Sequence, residues 1–154
     1  MARISKFYRI IISAFLALLG FSCSNGGTIN LPVEYGVPSA TYKVKGVVVS
    51  ETDDSPIEGI RVTLSRNSSE SNAEPYAIAA DYTDSEGSFY LTGSDFPMLK
   101  LYVQLTDVDG ETNGSFAAME TVADFTDATF TGGSGGWYSG EAEIDLGTIK
   151  MQPQ

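Results

Sequence analysis

The chain is expected to be all-β: one sandwich of about seven antiparallel strands. Three observations carry this expectation. Apolar and polar residues alternate with period two in several short segments, which is what a strand with one buried face requires. Turn-forming clusters separate these segments: "TDDSPIEG", "TDSEG", "SDFP", "DVDGETNG" and "GGSGG". Beyond residue 22, no run of ten residues keeps a helical period.

In chain order, "YKVKGVVV" sets Tyr42, Val44 and Val48 on one face. "IRVTL" alternates Ile60, Val62 and Leu64 with Arg61 and Thr63. Weaker strands are expected over Ala77 to Tyr82, Ser88 to Leu91, and Ala117 to Ala123. Between the last two, "LKLYVQL" alternates Leu99, Leu101, Val103 and Leu105 with Lys100, Tyr102 and Gln104. In the final strand Ala142, Ile144 and Leu146 alternate with acids, but Ile149 and Met151 are out of phase by one residue. Gly147 lies at the slip and is the natural place for a bulge.

The N-terminus is of a different kind. Arg3, Lys6 and Arg9 precede an apolar stretch from Ile10 to Phe21, the layout of a secretory signal and short for a membrane span. Directly after it stand Ser22 and Cys23, the only cysteine of the chain. An exported protein meets oxidising conditions, and a lone cysteine has no partner within its own chain. Its position resembles a bacterial lipobox, in which the signal is cut and the new N-terminal cysteine carries lipid. Gly20 and Phe21 depart from the usual residues of that motif. The expected organisation is therefore a signal over 1–22, lipid on Cys23, a Ser/Asn/Gly/Pro-rich tether over 23–40 and the sandwich over 41–154. Several acyl chains at one site would make a lasting membrane anchor. No acid follows Cys23 immediately, which favours the periplasmic face of an outer membrane.

Removing residues 1–22 takes away three of nine basic residues and none of the twenty acids. The mature net charge is then 6 minus 20, or −14. Such a surface repels nucleic acid, and no basic aromatic stripe or phosphate-binding glycine loop is present. Catalysis has little to draw on, because the chain has no histidine and its one thiol is expected to be lipidated. No enzyme activity and no obligatory cofactor are expected.

Two linked pieces, "KGVVVSETDDSPIEGIRVTLS" and "YTDSEGSFYLTG", resemble the carboxypeptidase regulatory-like domain, a transthyretin-like or immunoglobulin-like sandwich. Gly46, Pro56, Ile57, Gly59, Val62, Thr83, Asp84, Gly87 and Phe89 carry the resemblance. Over nearly its whole length, through "KFYRI", "LLGFSC", "YGVPSATYKVKG", "SDFPMLKLYVQLTDVDGETNG" and "GGWYSGE", the chain also resembles lipoproteins of Bacteroidetes encoded beside radical SAM enzymes. This second resemblance implies an envelope lipoprotein without an assigned activity, and opens a role as substrate or accessory protein of the neighbouring radical SAM system.

Two loops offer binding chemistry. Asp107, Asp109, Glu111 and Asn113 alternate in "DVDGETNG", so a turned loop could gather oxygens around Ca²⁺. The glycine falls too early for an EF-hand and Ala118 occupies the place of its distal glutamate, so a plain polar turn competes with the metal site. Asp53 and Asp54 form a second, weaker acidic turn. Gly132 to Gly140 holds the only tryptophan, Trp137, beside Tyr138. Exposed, this pair would bind a glycan or protein partner or present a peptide for modification; folded inward, Trp137 would plug the core.

Overall fold

The computed structural model describes residues 36–73 and 76–154. Cys23, the signal and most of the expected tether lie outside the described residues. Seven strands form: β1 (Ser39–Ser50), β2 (Ile60–Ser65), β3 (Ala77–Tyr82), β4 (Ser88–Asp95), β5 (Lys100–Asp107), β6 (Met119–Asp124) and β7 (Tyr138–Met151). They make two sheets, one ordered β4-β1-β7 and the other β3-β2-β5-β6. No helix occurs among the described residues.

The alternation places the core between the sheets. Tyr42, Val44, Val48, Phe89, Leu91, Ile149 and Met151 face inward from the three-stranded sheet, and Val62, Leu64, Leu101, Val103 and Leu105 face them from the four-stranded one. Tyr42 meets Phe125 edge to face at 4.9 Å and Phe130 at 5.9 Å, filling one end of the core. The Tyr42 hydroxyl is satisfied there, donating to the carbonyl of Phe96 at 2.8 Å and accepting from the amide of Met98 at 2.5 Å. Burial raises its pKa, partly offset by the bond from Met98.

Not every pairing is antiparallel as expected. β1 and β7 run parallel, from Ser39↔Tyr138 to Ser50↔Met151. β6 ends at the end of the sandwich where β1 begins. The segment that follows changes sheets there, so β7 must set off in the same direction as β1. The bulge falls where the phase slip placed it: the register jumps between Lys45↔Asp145 and Val47↔Thr148, and Gly147 has φ +64°. Leu99 departs from its expected inward position. β5 starts at Lys100, and Leu99 is 61% exposed beyond the aromatic end of the core.

Candidate functional site

The motif residues of the turns form one backbone knot at the end of the sandwich away from residue 36. Thr83, almost fully buried, accepts from the amide of Ile60 at 2.9 Å and donates to the carbonyl of Ile57 at 2.7 Å through the same Oγ1. The amide of Gly59 donates to the carbonyl of Thr83 at 3.0 Å. Asp84 caps its hairpin by accepting from the amides of Glu86 and Ser88, both at 2.9 Å. Phe89 then enters the core. These residues build structure, and their side chains are spent on doing so.

The acidic loop lies at the same end. Asp107 uses both oxygens on its own loop, accepting from the amide of Asp109 at 3.2 Å and of Phe116 at 2.9 Å. Asp109 accepts from the side-chain amide of Asn113 at 3.3 Å, and Asn113 itself has φ +60°. Among the described residues no three acids are grouped to hold a metal ion, and Glu111 joins no such group. This is the geometry of a polar turn rather than a converging ligand set. The melting temperature is accordingly expected to stay constant up to millimolar Ca²⁺. A rise that disappears in Asp107→Asn/Asp109→Asn would show that the loop rearranges around the ion. In the other acidic turn, Asp53 accepts from Ser55 and Asp54 pairs with Lys150 at 2.6 Å.

Trp137 is not a core plug. It is 43% exposed, with its ring packed so closely on Gly36 that a Cβ there would overlap it. Its carbonyl accepts from the amide of Ser39 at 2.7 Å. The nearby end of the core is already filled by Tyr42, Phe125 and Phe130. Tyr138 is half-buried on the outer face of the sheet, donating to Thr41 Oγ1 at 3.1 Å. Residues 132–137 are all exposed.

Two further arrangements carry no sequence motif. Arg66 forms a two-point ion pair with the carboxylate of Asp95, its Nε lying 2.9 Å from Oδ2. Its guanidinium lies 4.5 Å from the ring centre of Tyr76 and 5.3 Å from that of Phe96. On the outer face of the three-stranded sheet, Lys43 pairs with Glu141 at 2.8 Å and Lys45 with Glu143 at 2.7 Å, which raises both lysine pKa values. Only the strand register reveals these partners.

Glu120 borders an open recess of about 270 Å³ and accepts from Ser68 Oγ at 2.6 Å and the Ser69 amide at 2.7 Å. Burial opposes its ionisation, but these bonds outweigh it and its pKa is lowered. Asp124 is held down to about 2, by Thr126 first and then Lys100. A lowered carboxylate pKa gives stability that is complete above the unfolded value and fades as pH falls through the folded one. The stability difference between the wild type and Asp124→Asn is therefore expected to be constant above about pH 5 and to shrink as pH drops from about 4 to 2, read from melts at stepped pH.

No protein-family model matches the chain, and a search of curated proteins returns no significant match. Among solved structures, the chain is similar to the 5-hydroxyisourate hydrolase of Klebsiella pneumoniae, at 17% identity and a TM-score of 0.38, covering 72% of this chain and 86% of that one. It is similar to the dioxygenase domain of a dioxygenase carbohydrate-binding protein fusion from Streptomyces sp. SirexAA-E, at 14% identity and 0.38, covering 77% and 84%. A 9R-lipoxygenase from Cyanothece PCC8801 matches at 16% identity and 0.38 over 71% of this chain, which spans only 16% of that enzyme. Likeness at this level transfers no activity. The class defined by the strands is an all-β sandwich of two sheets.

Proposed function

We propose that the chain is a lipid-anchored protein of a bacterial cell envelope whose sandwich is a non-catalytic binding or structural module. The carrying observation is the order of the N-terminus: a cationic start, an apolar stretch too short to span comfortably, Ser22, and then the chain's only cysteine, Cys23. The domain supports a structural role through the way its charges are used. Every lysine of the sandwich, and Arg66, sits in an ion pair. An outer-membrane location on the periplasmic face, and a protein or glycan as partner, complete this reading.

Replacing the cysteine tests it. Cys23→Ser, exported behind an ordinary cleavable signal in place of residues 1–22, is expected to move from the membrane fraction to the soluble envelope fraction, since the acyl chains supply the attachment. A Cys23→Ser protein that stays with the membrane after its signal has been cut would contradict the proposal.

The exposure of residues 132–137 favours a second reading, in which this segment is the substrate of a neighbouring radical SAM enzyme. A mass difference within Gly132 to Gly140 that vanishes when the enzyme's gene is deleted is its expected sign.

A further inference from the structure

Five of the nine exposed large apolar side chains of the described domain gather at one end, the other four being Tyr82, Tyr90, Val108 and Val122. Val37 is 63% exposed and precedes β1; Trp137, at 43%, precedes β7. Phe96 and Leu99, at 48% and 61%, lie in the connection from β4 to β5, and Tyr76 precedes β3. The topology brings all five to one end of the sandwich. β1 and β7 start there, β4 ends there, and the contact of Arg66 with Asp95, Tyr76 and Phe96 ties the two sheets together across it. It is also the end at which residue 36 enters.

Charge divides the same way. The opposite end carries Asp53, Asp84, Glu86, Asp109 and Glu111 in its turns, with Asp54 paired to Lys150. At the entry end, Asp95 and Asp124 are neutralised by Arg66 and Lys100, leaving Asp127 without an ion-pair partner among the described residues.

We infer that this entry end is a lipid-contacting surface, with Trp137, Leu99, Phe96 and Val37 seated in the interfacial layer of the membrane that holds the Cys23 anchor. The inference rests on the lipid-anchor reading proposed above. Twelve residues separate Cys23 from Gly36, so the two are at most about 45 Å apart even with the chain fully extended. To present the acidic end instead, the chain would have to run back along the whole of β1, about 40 Å at strand rise, consuming nearly all of that reach. The entry end meets the membrane with little extension and keeps the acidic turns away from anionic headgroups. Tryptophan and tyrosine favour the interfacial layer, having an apolar body and a polar edge, and Arg66 can hold its guanidinium at headgroup level beside Tyr76.

Trp137, as the only tryptophan, is a built-in reporter. The experiment uses the mature lipoprotein purified from its native envelope, with its N-terminal mass checked, in phosphatidylethanolamine/phosphatidylglycerol vesicles containing lipid brominated near the headgroup end of the acyl chains. Emission from Trp137 is expected to shift to shorter wavelength and to be quenched by the brominated lipid. In Trp137→Phe/Val108→Trp, which moves the reporter to the acidic end, emission should stay water-like and unquenched. Phe96→Ser/Leu99→Ser should weaken the quenching of Trp137 while leaving the circular dichroism spectrum unchanged. Lipid mass on Cys23 with Trp137 water-like and unquenched would overturn the inference and leave the anchor standing. Protection from acrylamide without bromolipid quenching, in a protein that sediments as a dimer, would overturn it in favour of a second copy as the occupant. A mature N-terminus without lipid would remove the anchor reading and this inference together.

Discussion

Gly87→Ala is expected to destabilise the sandwich by about 3 kcal/mol, lowering the melting temperature by roughly 10 °C or more. Gly87 has φ +73°, and a Cβ there would sit 2.3 Å from the carbonyl oxygen of Val48. That oxygen is not free to retreat, because it accepts from the amide of Ile57 at 3.0 Å, while the amide of Val48 donates to the carbonyl of Gly87 at 2.8 Å. The substitution therefore sets the left-handed backbone penalty beside the loss of bonds joining β1, the Pro56 turn and the β3–β4 hairpin. Gly110 supplies the control. Its φ of +72° is nearly the same, but nothing lies within 4 Å of its added Cβ. Gly110→Ala should cost only the backbone term, about 1 to 2 kcal/mol. Equal losses in the two variants, measured by thermal or urea melts, would show that close approach contributes nothing.

Thr83→Val should be nearly as damaging. Valine matches the shape of threonine but carries no oxygen, so the amide of Ile60 loses the bond that Thr83 Oγ1 gives it and the carbonyl of Ile57 loses its donor. Leaving buried polar groups unmet is expected to cost about 2 to 3 kcal/mol. Thr83→Ser keeps the hydroxyl and gives up one buried methyl, for about 1 kcal/mol. If valine were tolerated better than serine, methyl packing rather than the double hydrogen bond would be what Thr83 supplies.

The turns that carry these two residues were legible in the sequence because turn chemistry is local, whereas the bonds of Thr83 to Ile57 and Ile60 and the approach of Gly87 to Val48 join distant segments. A Pro-Ile-x-Gly turn and a Thr-Asp-x-x-Gly hairpin announce themselves within a few residues, and strand alternation then places Val62 and Phe89 on the inward face. Gly147 was legible for the same reason, since a phase slip between Leu146 and Ile149 needs one extra residue. The parallel pairing of β1 with β7 was not, because it depends on the end at which the chain changes sheets after β6. Nor was the meeting of Arg66 with Asp95, Tyr76 and Phe96, whose spacing along the chain carries no period and whose contact exists only once the register is set.

Trp137 shows how a sound local argument is overridden. A small sandwich rewards a large aromatic in its core, but Tyr42, Phe125 and Phe130 already fill that end, and the ring packs on Gly36 instead. The acidic loop shows the converse. Alternating oxygens suggest a cation site, yet Asp107 turns both of its oxygens onto loop amides, which stabilises the turn by itself.

The central claim is that the sandwich is held at a membrane by lipid on Cys23. Intact and peptide mass spectrometry of the protein purified from its native envelope tests it most directly. A chain beginning at Cys23 with acyl mass on that residue is expected. A mature chain that begins elsewhere, or one that begins at Cys23 without lipid, would contradict it.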